Sequence, residues 1–245
     1  MLTAEDLQRY QRQMLMPEIG YEGQELLKSA KVFIAGMGGL GSAAAIYLVS
    51  SGVGTLGIAD SDCVDKSNLH RQIIFDERDV GILKIEAAKK KLLSMNPNIE
   101  INVHNRIDEN IINIVKDYDI IIDCTDNFAA RYAINDACVT LQKPNIYGSV
   151  VRFEGQLTVF LPPGPCYRCL HPTPARVETC SEVGILGALA GMFGTMQAIE
   201  AMKIMLGKGE IMTGKLFVFD ALKGETKYLI LPKRTDCICQ GSRGP

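Results

Sequence analysis

The sequence carries no excess of charge of either sign. Its 245 residues hold 26 lysines and arginines against 28 aspartates and glutamates, a formal net charge of −2. That balance leaves no electrostatic case for a nucleic acid or a membrane surface as partner. A long apolar run is also missing. The most apolar stretch, "ILGALAGMFGTMQAIEAMKIMLG" from Ile185, is interrupted by Glu200 and Lys203. It falls short of the roughly 20 apolar residues of a membrane span, so a buried or interface helix is expected there. The opening residues "MLTAEDLQRYQRQ" are polar and charged and read as no secretory leader. The eight cysteines are therefore expected in a reducing cytoplasm, as metal ligands or catalytic thiols rather than disulfides. No internal repeat or low-complexity segment appears.

What is present is an alternation of strands and helices. The length fits one domain, residues 1–245, with a sizeable core. Two helical patterns, Ala4 to Met14 and Tyr21 to Ser29, fill residues 1–30. Residues 31–148 then read as βαβ units. Strand "KVFIAG" leads to a glycine loop and a small-residue helix from Leu40 to Ser51, and strand "TLGIAD" ends at Asp60. A charged helix spans Lys84 to Met95, followed by strand "IEINVH", a helix near Glu109 to Lys116, and the buried strand "DIIIDC". A helix from Phe128 to Leu141 leads to strand "NIYGS". Residues 149–245 change character: "VRFEGQLTVFL" alternates as an antiparallel strand does, and "KLFVFDA" and "ETKYLILP" read as a hairpin across Leu222 to Gly224. A Gly/Pro/Cys-rich loop and a connector from Leu170 to Val183 lie between. The expected fold is α/β and Rossmann-like, its mixed sheet parallel in the first half and antiparallel in the second, with helices on both faces.

The glycine loop "GMGGLG" has Gly36, Gly38, Gly39 and Gly41 between a strand and a helix. Glycines let backbone N–H groups approach a phosphate, and the helix N-terminus favours its charge. NAD, FAD and ATP all satisfy this loop. Asp60, at the end of the second strand, is placed to bond ribose hydroxyls, which again does not separate NAD from ATP. The stretch "DSDCVDKSNLHRQIIF" puts Asn68, Arg71 and Gln72 near the phosphates, and Lys84 opens the next helix. A triphosphate has use for these cations, because pyrophosphate leaves with a growing charge; as solvated surface charges they would need no ligand. In "DCTDN", Asp126 is suited to Mg²⁺ on phosphate oxygens, and Asn127 to capping the following helix. An NAD-dependent oxidoreductase explains the glycine loop and Asp60 but leaves Arg71, Lys84 and Asp126 without roles.

Together these motifs resemble one family. "RYQRQ" at Arg9, "GMGGLGS" at Gly36, "DSDCVDKSNLHRQ" at Asp60, "GILKIEAA" at Gly81, "DCTDN" at Asp123, "EGQLTVF" at Glu154, "CYRC" at Cys166 and "TCSEVGILGALAG" at Thr179 run in order along the chain. The sequence is similar to the E1-like adenylyltransferases, the family of the MoeB, ThiF and HesA proteins. The resemblance implies a carrier protein of ubiquitin fold ending in Gly-Gly, whose carboxylate attacks the α-phosphate of ATP. An acyl-adenylate remains for sulfur transfer, in molybdopterin or thiamine biosynthesis, with the MoeB type favoured. It implies a nucleotide set of Gly36, Gly38, Gly39, Gly41, Asp60, Asp62, Ser67, Asn68, Arg71, Gln72, Lys84, Asp126 and Asn127. It also implies a homodimer in which Arg12 reaches the partner's ATP, and a separate sulfur donor of the cysteine desulfurase or rhodanese type. A scaffold that only binds a ubiquitin-like protein is a further reading, which the intact set of charged residues opposes.

The resemblance also pairs Cys166 and Cys169 with Cys237 and Cys239 as a four-thiolate zinc site. The second pair, in "DCICQG", is one residue shorter than the family's C-x-x-C. Cys180 matches the position that forms a covalent link with the carrier. Cys63, Cys124 and Cys138 lie in or beside apolar elements and are expected to pack.

Overall fold

Alternation along single strands accounts for the architecture. In β1, Lys31–Ala35, side chains point to opposite faces in turn. Val32 and Ile34 enter one hydrophobic cluster and Phe33 and Ala35 enter another. A strand buried on both faces belongs inside a parallel sheet covered on two sides. The computed structural model, which describes residues 1–174 and 183–240, shows such a sheet.

Eight strands are ordered β3-β2-β1-β4-β5-β6-β7-β8. Strands β2 (Thr55–Ala59), β3 (Glu100–His104), β4 (Ile120–Asp123) and β5 (Asn145–Val151) complete the parallel part with β1. Strands β6 (Glu154–Phe160), β7 (Lys215–Asp220) and β8 (Glu225–Ile230) continue it antiparallel. This is the expected mixed sheet. β5 belongs to both halves, parallel to β4 and antiparallel to β6. It therefore runs two residues past the sequence reading, and the reversal falls at Arg152, whose φ is +53°.

At the N-terminus, α1 (Ala4–Arg9) and α2 (Gln11–Met14) replace the single expected helix. The break is at Tyr10, whose ring is buried and whose hydroxyl accepts a hydrogen bond from Asn96 at 2.8 Å. Helix α3 (Gly20–Ser29) follows, then α4 (Gly39–Ser50), α5 (Lys84–Met95), α6 (Ile112–Val115), α7 (Phe128–Leu141) and α8 (Tyr167–Leu170). The last long helix, α9 (Gly187–Leu206), crosses α4. No helix among the described residues is long and apolar enough to cross a membrane. Glu200 of α9 is buried but engaged, accepting from the Met212 amide at 3.0 Å and pairing with Lys203 at 2.5 Å.

Small residues set how closely α9 lies on the glycine-loop helix. A Cβ at Gly194 would sit 2.1 Å from the Leu40 carbonyl oxygen, whereas one at Gly191 would meet nothing within 4 Å. Gly194→Ala must push two backbones apart and should lower stability by about 1–3 kcal/mol. Gly191→Ala, on the same helix, should be neutral or stabilising by up to about 1 kcal/mol. Urea unfolding of both variants checks this; equal effects would mean that α9 is free to slide on α4.

Candidate active site

The C-terminal ends of the five parallel strands surround one cavity of about 590 Å³. Open α/β sheets bind ligands at these ends. The glycine loop forms its floor. Gly36 has φ +93°, and a Cβ there would be 2.8 Å from the Cys124 carbonyl oxygen, so this glycine lets the first turn touch the turn after β4. Gly38 faces open space, the nearest atom to a Cβ being Gln72 Nε2 at 3.9 Å. Gly39 begins α4, whose N-terminal amides are thus presented to the cavity.

Asp60 follows β2. Its Oδ2 accepts from the Met37 amide at 2.8 Å and its Oδ1 from the Asp62 amide at 2.9 Å. The carboxylate therefore ties the glycine loop to the end of β2. Burial raises its pKa and the nearby Lys84 opposes that rise. Lys84 is itself buried, 2.8 Å from Asp62 Oδ2 and 3.7 Å from Asp60 Oδ1. A short antiparallel bridge places it there: Cys63 pairs with Leu83, and the Lys84 amide donates to the Asp62 carbonyl.

The segment after Asp65 forms a second wall. Arg71 donates from Nη2 to Asn68 Oδ1 at 2.9 Å, and Gln72 Nε2 donates to the same oxygen at 2.9 Å. Gln72 Oε1 is buried without a partner. Across the cavity, Asn127 Oδ1 accepts from the Ala130 amide at 2.9 Å and caps α7. Asp126 is exposed on the cavity wall and makes no hydrogen bond or ion pair among the described residues. An unpaired carboxylate beside the amides of a helix N-terminus is the donor chemistry that suits Mg²⁺.

A second cluster lies elsewhere. The Sγ atoms of Cys166, Cys169, Cys237 and Cys239 all fall within 4.8 Å of one another. Cys166 and Cys237 are 3.4 Å apart, and Cys169 and Cys239 are 3.5 Å apart. Sulfurs about 2.3 Å from a tetrahedral zinc are separated by comparable distances. The short C-x-C pair reaches because a tight turn, Ile238–Gln240, folds Cys239 back. The Arg234 amide donates to Cys169 Sγ at 3.4 Å. Burial and the adjoining sulfurs push the Cys166 thiol up to about 11.

A model described as the ThiF family matches residues 10–239. The chain belongs to the ThiF family. Among its relatives are proteins called adenylyltransferase and sulfurtransferase MOCS3. That of Drosophila yakuba is 44% identical over 243 residues, covering 96% of this chain and 54% of the relative. That of Culex quinquefasciatus is 43% identical over 244 residues, covering 97% and 56%. The chain thus spans about half the length of these curated relatives. Among solved structures, E. coli MccB superposes with a TM-score of 0.84 at 24% identity, covering 99% of this chain and 74% of that one. PaaA superposes at 0.78 with 25% identity, covering 95% and 76%. These likenesses bear on the fold.

In this ThiF-family chain the cavity gathers Gly36, Gly38, Gly39, Asp60, Asp62, Asn68, Arg71, Gln72, Lys84, Asp126 and Asn127. Three other nucleotide-set residues or partners stand outside its lining. Gly41 is a packing residue, where a Cβ would be 1.9 Å from the Gly36 carbonyl oxygen. Ser67 turns back to Asp65, at 2.5 Å. Arg12 is exposed on α2. Cys180 lies outside the described residues. Cys138 is buried and Cys124 is half-buried, as expected of packing residues, but Cys63 is exposed. It sits on the bridge to Leu83, at the surface rather than in the core. The sequence reading missed Arg131 and Ser149, which line the far side of the cavity. The available signal was a charge four residues after the Asn127 cap, on the helix face that follows the Asp126 turn.

Lys84 compensates the buried Asp60 carboxylate, so Lys84→Met should destabilise the fold by about 3 kcal/mol at neutral pH. Asp60 has a raised pKa in the fold, and losing Lys84 raises it further. Once the pH falls below that value, the carboxyl is neutral and no longer needs the cation. The difference between variant and wild type should therefore shrink towards about pH 4. Denaturant midpoints at the two pH values check this; an equal loss at both would remove Asp60 as the group that Lys84 serves.

Proposed function

We propose that residues 1–245 act as one adenylation unit that activates a ubiquitin-like sulfur carrier with ATP. The carrier's C-terminal glycine carboxylate attacks the α-phosphate, pyrophosphate leaves, and an acyl-adenylate remains. The observation that carries this reading is the unpaired Asp126 carboxylate facing the same cavity as the glycine-loop amides, Arg71 and Lys84. A dinucleotide needs backbone amides and a ribose partner; cations on one wall and a free carboxylate on the other suit a nucleoside triphosphate. The names of the curated relatives support the same chemistry.

Each residue then has a task. Gly38 leaves room for phosphate oxygens at the start of α4, and Gly39 lets that helix end pack against Ala190. Asp60 bonds the ribose while holding the Met37 amide. Arg71 and Lys84 offset the repulsion between a carboxylate nucleophile and a phosphate anion, and then the charge on the leaving pyrophosphate. Lys84 already sits between Asp60 and Asp62, so it serves the phosphates without leaving its carboxylates. Asp126 would hold Mg²⁺, which supplies charge neutralisation on phosphate oxygens when bound. No general base is required, because the nucleophile is already ionised.

The reading extends beyond the single chain. A second copy supplies Arg12 to the nucleotide, which the exposure of Arg12 on α2 permits. Sulfur comes from a persulfide donor of the cysteine desulfurase or rhodanese type. The Cys180 thiolate forms the covalent link with the carrier by attacking the acyl carbon of the adenylate, with AMP as the leaving group. The product serves molybdopterin biosynthesis, as in MoeB-type members, in the cytoplasm, where thiols stay reduced. The four clustered thiolates hold a structural Zn²⁺ that ties the chain after β8 to α8.

With a Gly-Gly carrier, the protein should catalyse Mg²⁺-dependent exchange between ATP and pyrophosphate. Asp126→Ala should reduce that rate about a hundredfold or more. Exchange at the wild-type rate in this variant would take Asp126 out of the mechanism. The purified protein should also contain about one zinc per chain, and Cys166→Ser should lose it together with thermal stability. Elemental analysis that finds no zinc in protein never exposed to chelator would refute the four-thiolate site.

A further inference from the structure

Arg131 is a buried cation for which the chemistry above has no use. It lies in the first turns of α7, is 8% exposed, and lines the cavity. Its Nε and Nη2 both donate to the Thr125 carbonyl, at 3.1 and 2.7 Å. Nη2 also reaches Ser149 Oγ on β5, at 3.3 Å. The guanidinium lies 5.2 Å from the centre of the Tyr147 ring. Two donors on one carbonyl, a hydroxyl and an aromatic face leave the group little freedom.

Thr125 is held from its other side as well. Asp123 Oδ1 accepts from the Thr125 amide at 2.9 Å and from its hydroxyl at 2.7 Å. The amide and the carbonyl of one residue are thus both fixed by buried charged side chains. Asp123 is fully buried and its Oδ2 has no partner. Burial raises its pKa, while the Arg131 charge favours the ionised form. The next residue in the chain is Asp126, and the one after it is the α7 cap, Asn127. Asp126 is exposed and bonded to nothing described, yet it stands between two anchored residues.

We infer that Arg131 is a positioning residue: by clamping the Thr125 carbonyl it holds the Asp126 carboxylate in place for the divalent cation that accompanies a nucleotide triphosphate. The inference rests on the reading of the cavity as a nucleotide site. It makes Arg131 act through Asp126 rather than on the nucleotide.

Arg131→Lys is the appropriate change. It keeps the charge beside Asp123 but cannot donate two coplanar bonds to one carbonyl. Titration calorimetry of the full chain with ATP, with and without Mg²⁺, separates the effects. The variant should bind metal-free ATP within about twofold of wild type, and the gain in affinity on adding Mg²⁺ should fall about tenfold, the scale of one charge-assisted hydrogen bond. In an Asp126→Asn background, Arg131→Lys should remove no further Mg²⁺ gain, because both changes act on one element. An undiminished gain, an equal loss with and without Mg²⁺, or additive losses in the double variant would overturn the inference. Should Arg131→Lys fail to fold, Ser149→Ala removes one of its partners and should reduce the gain about twofold; a wild-type gain there overturns it too. Wild-type protein that binds ATP no better with Mg²⁺ would instead sink the nucleotide reading beneath it.

Discussion

β1 hydrogen-bonds to β2 along one edge and to β4 along the other. The chain leaves β1 in one direction to build β2 and β3, then returns to build β4 and β5 on the opposite side. At such a reversal the two sets of connecting segments diverge, and a crevice opens above the strand ends. The glycine loop stands at this point because β1 is the strand that precedes it. Its position fixes what can follow. Gly36 touches the Cys124 carbonyl only because β1 and β4 are neighbours in register, Ala35 beside Asp123. The Asp60 carboxylate reaches the Met37 amide only because β2 is the neighbour on the other side. Two turns from distant parts of the sequence are thereby brought against one loop.

Lys84 and Arg71 both have partners within the chain. Lys84 lies between two carboxylates, and Arg71 is held by the Asn68 carboxamide. Such partners limit the side-chain freedom that a bound phosphate would otherwise have to remove. They also moderate the field: a buried lysine without a counter-charge would lose its proton, and a buried aspartate would gain one. Arg71 has neutral partners, so a phosphate can compete for it. Lys84 has anionic ones, so its contribution is a fixed charge at fixed range. The asymmetry follows from the bridge at Cys63 and Leu83, which brings Lys84 to Asp62.

Much of this was legible in the sequence, and the parts that were not share a cause. The period of two in β1, the glycine spacing, the Asn127 cap and the cysteine pairs are local patterns whose physics acts over a few residues. The failures are tertiary. Tyr10 breaks a helical stretch because its hydroxyl meets Asn96, 86 residues away. β5 extends past Ser149 because β6 pairs with it, and Cys63 is exposed because its segment bridges to Leu83 at the surface. Asp60 reads as a ribose partner from its place after β2, yet its two bonds to backbone amides are invisible until the loops are folded. Arg131 was overlooked for the same reason: in sequence it is one charge on a helix, and its two bonds to Thr125 exist only in the turn it closes.

Helix α7 joins the two halves of the molecule. Its N-terminus carries Asn127 and follows Asp126; its later residues meet the segment Cys166 to His171. Asn135 Oδ1 accepts from the Tyr167 amide at 2.7 Å, within the Cys166 to Cys169 segment. Asp136 pairs with Arg168 through two bonds of 2.7 Å each, and Arg168 stacks over Tyr132 at 4.4 Å. Tyr132 in turn donates to the His171 carbonyl at 2.9 Å. Three residues of α7, Tyr132, Asn135 and Asp136, thus commit one face of the helix to the Cys166–His171 segment within little more than one turn. A hydrogen-bonded network anchored on the buried Asn135 admits few alternative placements. The helix that fixes the direction of Asp126 at one end is therefore itself fixed, at its middle, by the segment bearing the first two thiols. The four-cysteine cluster and the cavity at the strand ends are thus joined through a single helix.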